Sequence, residues 1–130
     1  MPVRGIRGAT TVDLNTEEEI LEATRSLLQE MVAANSVDAD DLAAAYFTVT
    51  ADINAAFPAR AARQLGWLHV PMLDGLEIPV PGSLQRCIRV LLWWNTERPP
   101  SQVRHIYQRK AASLRPDLAT TDAYVKELDQ

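Results

Sequence analysis

The chain has 130 residues, of which 47% are hydrophobic and 23% are charged. This length suits one domain, and the composition is that of a folded globular protein. The net charge of −4 and the isoelectric point near 5.1 argue against a nucleic-acid or anionic-membrane partner, because either would require a basic surface to neutralise phosphates.

The amino-terminal part of the chain predicts a strand followed by a helix. Residues 3–12 combine β-branched residues with two glycines and end at a polar turn, which indicates a first strand. Thr16, with Glu19 three residues later, forms a capping box. Apolar residues then repeat at helical spacing to about Ala34. An amphipathic helix is therefore expected after the first strand.

The next two predicted elements are shorter. Residues 44–50 are rich in β-prone side chains and predict a second strand. Residues 59–65 follow Pro58 and stop at Gly66, and an early proline with a late glycine indicates a short helix. A strand and about two helical turns are thus expected before the chain turns at Gly66.

An extended pattern returns at residues 67–72, whereas Asp74-Gly75 and residues 79–83 are typical of loops. Residues 86–95 form the clearest strand pattern, with apolar side chains on both faces. One predicted face carries Ile88, Val90, Leu92 and Trp94, and the other carries Cys87, Arg89, Leu91 and Trp93. Both faces are predicted to be buried, although one of them includes an arginine.

The segment after Pro99-Pro100 has apolar residues at helical spacing, so the pattern by itself predicts a helix over residues 103–114. Residues 1–118 contain no internal repeat or linker and are expected to form a single domain. Residues 119–130 are expected to be a C-terminal tail with the mobility that chain ends often have.

The sequence predicts neither a metal site nor a cofactor. Cys87 is the single cysteine, and no group of cysteines and histidines has the spacing of zinc ligands. Cys87 is expected to be a buried, unactivated thiol, and His69 and His105 to have packing or surface roles. The chain shows neither the apolar core of a signal peptide nor a run of about 18 apolar residues. We therefore expect a cytoplasmic protein that does not enter the membrane.

Arg89 is the residue that most needs an explanation. A guanidinium on a mostly apolar strand face costs several kcal/mol to remove from water unless an anion or hydrogen-bond acceptors meet it. Two interpretations stay open. Arg89 either has a structural role, because it pairs with Glu77 or Asp74 or because its face is less buried than the pattern indicates, or it meets an anionic ligand.

Other charged residues also allow two interpretations, a role in ligand binding or an ordinary structural or surface role. Arg7 lies between glycines that would let a ligand approach the backbone, yet a first-strand arginine is often paired or exposed to solvent. Arg60 and Arg63 lie three residues apart on the predicted short helix, as on an ordinary solvated face. Glu77 and Asp74 resemble a catalytic carboxylate pair, but they lie in a predicted loop without the partner that a general base needs. The residues alone predict an arginine-rich site for a small polyanion.

Several motifs, taken together and in order, resemble those of the AroH-class chorismate mutases. The matching segments are Arg4-Gly5-Ile6-Arg7-Gly8-Ala9-Thr10-Thr11-Val12 with Thr16-Glu17-Glu18-Glu19-Ile20, Phe57-Pro58-Ala59-Arg60-Ala61, Cys87-Ile88-Arg89-Val90, Arg104-His105-Ile106-Tyr107, and Leu114-Arg115-Pro116-Asp117-Leu118. They span residues 4–118, so the resemblance covers nearly the whole chain except the tail.

The resemblance implies an α+β fold, in which a mixed five-stranded β-sheet is packed with helices. Three identical subunits would form a pseudo-barrel homotrimer, with active sites at the subunit interfaces. The resemblance also implies that residues from about 105 to 114 form the fifth strand after a short helical turn, in place of the helix predicted by pattern. The charged pair Arg109-Lys110 is unusual for such a strand.

The resemblance further implies the residues of the site. The central ones would be Arg7, Glu77, Arg89 and Tyr107, and walls or charge would come from Phe57, Arg60, Arg63, Leu114 and Arg115. Chorismate carries two carboxylates and a hydroxyl, so Arg7 and Tyr107 suit one carboxylate, and Glu77 suits the hydroxyl. The remaining arginines would supply a positive field near the entrance.

The implied reaction is the intramolecular [3,3] rearrangement of chorismate to prephenate. An ether C–O bond breaks while a C–C bond forms, so the chemistry needs no base, nucleophile, metal or cofactor. The protein would hold the compact conformer of the substrate and stabilise the charge that grows on the ether oxygen, the role expected of Arg89.

Two alternatives and one departure from the family pattern stay open. The same arginines would serve a trimeric sensor that binds a small dicarboxylate without turnover, and a similar trimer would also suit an enamine or imine hydrolase. Asp74 stands where the best-known family members have an uncharged thiol near the substrate hydroxyl. A carboxylate there would repel a dianion unless it is paired or turned away, so Asp74 is not counted among the core site residues.

Overall fold

The structure is a computed structural model and describes residues 1–114. Its strands are β1 (Val3–Thr11), β2 (Leu42–Val49), β3 (Met72–Leu76), β4 (Cys87–Asn95) and β5 (Ile106–Tyr107). Its α-helices are α1 (Glu17–Asn35) and α2 (Ala59–Gln64). Short 3-10 helices lie at Ala39–Asp41, Pro100–Gln102 and Arg109–Ser113.

The strands form a five-stranded sheet in the order β3-β2-β4-β1-β5. β4 runs antiparallel to both β1 and β2, whereas β5 is parallel to β1 and β3 is parallel to β2. The mixed sheet that the family resemblance implied is therefore confirmed. β4 has the central position, which accounts for its nearly continuous apolar sequence.

One face of the sheet carries the main core. Ile6, Phe47, Val90 and Leu92 point to this face and are buried. The helices cover it with Leu27, Leu28 and Met31 of α1 and with Ala59 and Ala62 of α2. Burying each large apolar side chain stabilises the fold by about 1.5–3 kcal/mol. This face therefore holds the sheet and the helices together.

The second face of the sheet is less covered. Its end near Ala9 and Tyr107 packs against Ala111 of the last 3-10 helix. Farther along, Leu73 is 70% exposed and Trp93 is 37% exposed. The prediction that both faces of β4 are buried was therefore correct for the helix-covered face and only partly correct for the second face, where Cys87 is buried, Arg89 and Leu91 are half-buried and Trp93 is exposed. We call this second face the open face.

Gly8 marks the closest approach of α1 to the sheet. A Cβ atom at this position would overlap Sδ of Met31 and would lie 3.2 Å from Cδ1 of Leu27. Glycine therefore allows the backbone of β1 to pack directly under α1.

Most of the predicted elements are confirmed with shifts of one or two residues. The start of α1 is capped as expected, since the Oγ1 of Thr16 accepts a hydrogen bond from the N–H of Glu19 at 3.2 Å. The short helix ends before Gly66, which has a φ of 90°. These elements are determined by neighbouring residues, such as a helix cap or a terminal glycine, so the local sequence predicts them.

The third strand was predicted in the wrong place. The segment 67–72 is irregular up to Pro71, and its Trp67 and Val70 are buried in the core without belonging to a strand. The strand follows as Met72–Leu76 and includes Asp74 and Gly75, which were predicted to lie in a loop. Pairing with β2 at the edge of the sheet overrides the loop propensity of these two residues.

The prediction for the last described segment was also wrong. Residues 103–114 are not a helix, and the strand implied for about 105–114 is limited to Ile106–Tyr107. Arg109, the first residue of the 3-10 helix Arg109–Ser113, has a φ of 53°, a left-handed conformation in which a strand does not continue. Arg109 and Lys110 are consequently exposed, which resolves their unusual place in a predicted strand. Arg115 and the predicted tail lie outside the described residues.

Candidate active site

Arg89 and Tyr107 face the same side of the sheet because their strands share a register. Ala9 of β1 pairs with Arg89 on one side and with Tyr107 on the other. Thr48 of β2 continues this row beyond Arg89. Since Ala9 has a small side chain, the row forms the floor of a depression of about 160 Å³, which we call the sheet cleft.

Glu77 reaches this row from the end of β3. Its backbone N–H donates to the carbonyl of Val49 at 2.9 Å, which extends the pairing of β3 with β2 by one residue. Its Oε1 lies 3.1 Å from Nε of Arg89 and also accepts a hydrogen bond from the hydroxyl of Thr48. The side chains of Arg89 and Glu77 are 35% and 23% exposed, so water screens their attraction only in part.

The ion pair leaves hydrogen-bonding capacity on Arg89. Its Nε is buried and makes no well-aligned hydrogen bond with any of the described residues, although Oε1 of Glu77 is only 3.1 Å away. A guanidinium carries five N–H donors, and the contact with Glu77 is made at only one nitrogen, Nε. The ion pair with Glu77, one of the alternatives that the sequence left open, is therefore present, and Arg89 also lines the sheet cleft.

Arg7 lines the same cleft from β1. It is half-buried and pairs with Leu91, which places it on the open face two residues before Ala9. Its backbone N–H donates to Nδ1 of His105 at 2.9 Å, so a neutral His105 carries its proton on Nε2. His105 thus ties the chain before β5 to β1, which agrees with the packing role predicted for it.

The floor of the sheet cleft continues into a small apolar cluster. Tyr107 is buried and packs with Ala9 and Ala111, and the half-buried Leu114 lies against them. Leu114 therefore lies close to Tyr107. The structure thus brings together five of the expected site residues, which are Arg7, Glu77, Arg89, Tyr107 and Leu114.

The short helix α2 forms a separate wall. Its alanines at 59, 61 and 62 are buried, which leaves Arg60 and Arg63 on the exposed side. Phe57, just before the helix, is 72% exposed. Phe57 and Arg60 line a cavity of about 450 Å³ together with Asp74, and we call this cavity the α2 cleft. Nη1 of Arg60 lies 2.8 Å from Oε1 of Glu17 in an exposed ion pair, an arrangement that typically contributes at most about 1 kcal/mol.

Asp74 is turned towards α2. It pairs with Phe47 of β2, so it lies on the helix-covered side of the edge strand. Its Oδ1 accepts a hydrogen bond from the N–H of Ala59 at 3.0 Å. Burial raises the pKa of the Asp74 carboxyl, while the Ala59 hydrogen bond and the charge of Arg63 act in the opposite direction. The carboxylate is thus paired and turned away from the sheet cleft. These are the conditions under which a carboxylate at this position was not expected to repel a dianionic ligand.

Within one chain, the expected site residues form two groups. Arg7, Arg89 and Tyr107 line the sheet cleft, whereas Phe57 and Arg60 line the α2 cleft, and the two clefts have no lining residue in common. Among residues 1–114, a single copy therefore does not bring all the expected site residues into one pocket.

The described residues contain no alternative catalytic centre of the metal or thiol type. Burial raises the pKa of the Cys87 thiol, and the neighbouring Arg89 opposes this shift without reversing it. The thiol is therefore protonated at neutral pH and is a poor nucleophile, as predicted. Within residues 1–114, no cluster of histidine, cysteine, aspartate and glutamate is suited to a metal ion, and no helix has the length and apolarity to cross a membrane.

Residues 3–118 match the family model described as chorismate mutase type I. The chain belongs to this family. It is 57% identical to a chorismate mutase AroH of Thermus thermophilus over 117 residues, which covers 89% of this chain and 96% of the relative. It is 45% identical to a chorismate mutase AroH of Bacillus subtilis (strain 168) over 122 residues, which covers 93% of this chain and 96% of the relative.

A solved structure of a chorismate mutase from Clostridium thermocellum has the same fold. It is 45% identical to this chain, with a TM-score of 0.84, and the match covers 85% of this chain and 98% of that chain. The family resemblance carried by the motifs is therefore confirmed at the level of both sequence and fold.

Sequence reasoning missed two residues of the sheet cleft. Tyr46 and Thr48 line it beside Arg89, and a Cβ atom at Gly75 would overlap the Tyr46 hydroxyl. The sequence did indicate that these two residues lie together, because Tyr46 and Thr48 alternate with Phe47 and so share one face of β2. That this face meets Arg89 depends on the pairing of β2 with β4, which no local pattern reveals.

Proposed function

We propose that this protein rearranges chorismate to prephenate in a site that combines its two groups of residues. The observation that carries the proposal is the placement of Arg89, whose guanidinium is held by an ion pair with Glu77. Arg89 lines a cleft beside Arg7 and Tyr107, so a small anion with several oxygen atoms would meet two guanidinium groups and a phenol.

The reaction suits a site without a base or a nucleophile. The ether C–O bond of chorismate breaks while a new C–C bond forms in the same molecule, and no proton or leaving group is exchanged. Catalysis then consists of holding the substrate in its compact conformer and stabilising the negative charge that grows on the ether oxygen.

The geometry supports a division of roles. Arg89 donates to the ether oxygen, and Arg7 with Tyr107 binds a carboxylate. Glu77 uses Oε1 to hold Arg89 and Thr48, which leaves Oε2 to accept a hydrogen bond from the substrate hydroxyl. Glu77 thus has two functions, since it orients the guanidinium and also binds the substrate.

The two clefts are joined in this proposal by a second copy of the chain. Phe57, Arg60 and Arg63 of one copy would close the sheet cleft of its neighbour, and Leu114 and Arg115 would complete the walls. The open face, with its exposed Leu73 and Trp93, supports such an assembly, because a monomer would leave this apolar surface in water. Closure of the contact around a threefold axis gives the homotrimer with a pseudo-barrel centre that the family resemblance implies.

The proposed place of the protein in metabolism follows from its product. Prephenate is the precursor for phenylalanine and tyrosine, so the protein would act in aromatic amino-acid biosynthesis. The proposed compartment is the cytoplasm, where the lone Cys87 would stay reduced. The proposed reaction requires no cofactor.

The test is to incubate the purified protein with chorismate, follow the loss of its ultraviolet absorbance, and identify prephenate as the product. Saturable turnover to prephenate is expected. Tight binding of chorismate without turnover would instead assign the protein to the dicarboxylate sensors and would overturn the proposed activity. Sedimentation at several protein concentrations tests the trimer separately.

A further inference from the structure

Asp74 is a carboxylate near the proposed site to which the reaction assigns no role. It lines the α2 cleft with Phe57 and Arg60, yet its Oδ1 is engaged by the N–H of Ala59 at 3.0 Å. A carboxylate in a site for a dianion would weaken binding unless it did something that offsets the repulsion. The hydrogen bond to Ala59 indicates that Asp74 supports the start of α2.

The start of α2 depends on Asp74 for its backbone hydrogen bonds. Pro58 has no N–H, the N–H of Arg60 donates to Phe57 at 3.1 Å, and the N–H of Ala61 donates to Pro58 at 2.9 Å. The first turn therefore has one further donor, the N–H of Ala59, and Asp74 accepts it from β3. The residue at the helix start makes no side-chain cap of its own.

This contact connects the α2 wall to the sheet at one defined point. α2 has six residues, too few for a stable orientation without outside support. Phe57 and Arg60 lie two residues before and one residue after Ala59, so the Asp74 contact sets where both side chains project. Arg63, one turn farther along, depends on the same helix axis.

We propose that Asp74 is a positioning residue, which fastens the start of α2 to β3 and so holds Phe57, Arg60 and Arg63 in place to bind the substrate. This inference rests on the proposed function and extends it to a residue outside the expected site. It predicts that removing the acceptor weakens substrate binding, although the same change removes a negative charge from the cleft.

Two variants separate the hydrogen bond from the charge. Asp74→Asn keeps an oxygen acceptor but loses the charge, whereas Asp74→Ala loses both. Loss of a cap of this kind corresponds to roughly a threefold to thirtyfold change in an equilibrium. We expect KM for chorismate to rise by about that factor in D74A, and to equal the wild-type value or fall below it in D74N. The kcat of both variants should stay within about twofold of wild type, since the ion pair of Arg89 and Glu77 lies outside the α2 cleft.

Glu17→Gln is the matched control for charge. Glu17 lines the same cleft and makes an ion pair with Arg60, but it does not cap α2. Its replacement removes a carboxylate from the cleft and releases Arg60, so KM is expected to fall. A rise of KM in D74A together with a fall in E17Q would show that Asp74 acts through its hydrogen bond.

Three results would overturn the inference: KM unchanged in D74A despite a loss of stability, KM lowered in D74A as in E17Q, or KM raised equally in D74A and D74N. Should D74A fail to fold, Asp74→Glu replaces it, because it keeps the charge but displaces the acceptor, and its KM is expected to rise.

Amide hydrogen exchange at residues 59–63 gives a readout that is independent of turnover, with faster exchange expected in D74A than in D74N. If the wild type turned over no chorismate, the proposed function would fail, and the Kd for chorismate from calorimetry would replace KM in the same comparison.

Discussion

Oε1 of Glu77 lies 3.1 Å from Nε of Arg89, although β2 lies between the strands that position these two residues. Glu77 follows the edge strand β3 and reaches across Thr48, whose hydroxyl donates to the same carboxylate oxygen. The guanidinium of Arg89 is thus held by Glu77, which Thr48 in turn orients. Such fixed placement before the reaction is what a charge-stabilising donor requires.

The first prediction concerns Arg89 itself. Arg89→Ala should lower kcat by about a hundredfold to a thousandfold, equivalent to about 3–4 kcal/mol in the barrier, because it removes the proposed donor to the ether oxygen. Arg104→Ala is the control, since Arg104 is an exposed arginine whose described hydrogen bonds use only its backbone. Steady-state chorismate kinetics measure the effect, with circular dichroism as the check on folding. Near-normal turnover by a folded R89A would rule out the assigned role.

The second prediction isolates the support that Thr48 gives to Glu77. Thr48→Val keeps the shape of the side chain but removes the hydroxyl, so Glu77 becomes less well oriented. We expect kcat to fall by about threefold to tenfold. Thr48→Ser keeps the donor and should stay close to wild type in the same assay. Equal losses in T48V and T48S would point to packing and not to the hydrogen bond.

The third prediction tests whether a site takes its two groups from different copies. Arg89→Ala damages the sheet cleft, and the double variant R60A/R63A damages the α2 cleft. When the two proteins are unfolded together at equal amounts and refolded, about one quarter of the interfacial sites should contain both intact halves. Activity should then exceed the sum of the two separate preparations.

The control for this mixing experiment is the same mixture without the unfolding step, so that subunits do not exchange. If each copy carried a complete site, co-refolding would produce no gain in activity, and the interfacial arrangement would be rejected. The measurement needs a chorismate concentration low enough for the weaker binding of the R60A/R63A sites to show.

The fourth prediction concerns the packing of α1 on β1. Gly8→Ala places a methyl group against Met31 and Leu27 and should reduce the free energy of unfolding by about 1–3 kcal/mol. Gly5→Ala is the matched control in the same strand, because its Cβ would meet Cδ1 of Leu91 at an ordinary 3.5 Å. Urea unfolding at one fixed protein concentration measures both. A G8A protein as stable as G5A would contradict the close contact.

The fifth prediction is a pH dependence that arises from Cys87. Burial raises the pKa of this thiol above its ordinary value of 9.0, so the unfolded chain loses the thiol proton at a lower pH than the folded protein does. The folded state therefore binds more protons in this range, and stability should fall as pH rises above about 9. In Cys87→Ala this contribution is absent, so the unfolding free energy should decline less steeply between about pH 8 and pH 10. Parallel curves for the two proteins would contradict the raised pKa.

The sequence predicted best where neighbouring residues determine the structure. The Thr16 cap and the apolar repeat of α1 are local, and so is the alternation along β4, which placed Arg89 on the face opposite Val90. The edge strands β3 and β5 were predicted poorly, because short strands are selected by pairing with a neighbour more than by their own residues. Asp74 and Gly75 show this, since both have loop propensity and both lie in β3.

By itself, the sequence determined the family, the long helix and the central strand, and it singled out the arginines for which an anionic ligand was predicted. Only the tertiary structure decided that Glu77 meets Arg89, that Asp74 turns to Ala59, and that the expected site residues separate into two clefts. The physical reason is that these contacts depend on strand order and register. Such contacts join residues far apart in the chain, and the energy of each pairing is distributed over many residues, so no short pattern encodes it.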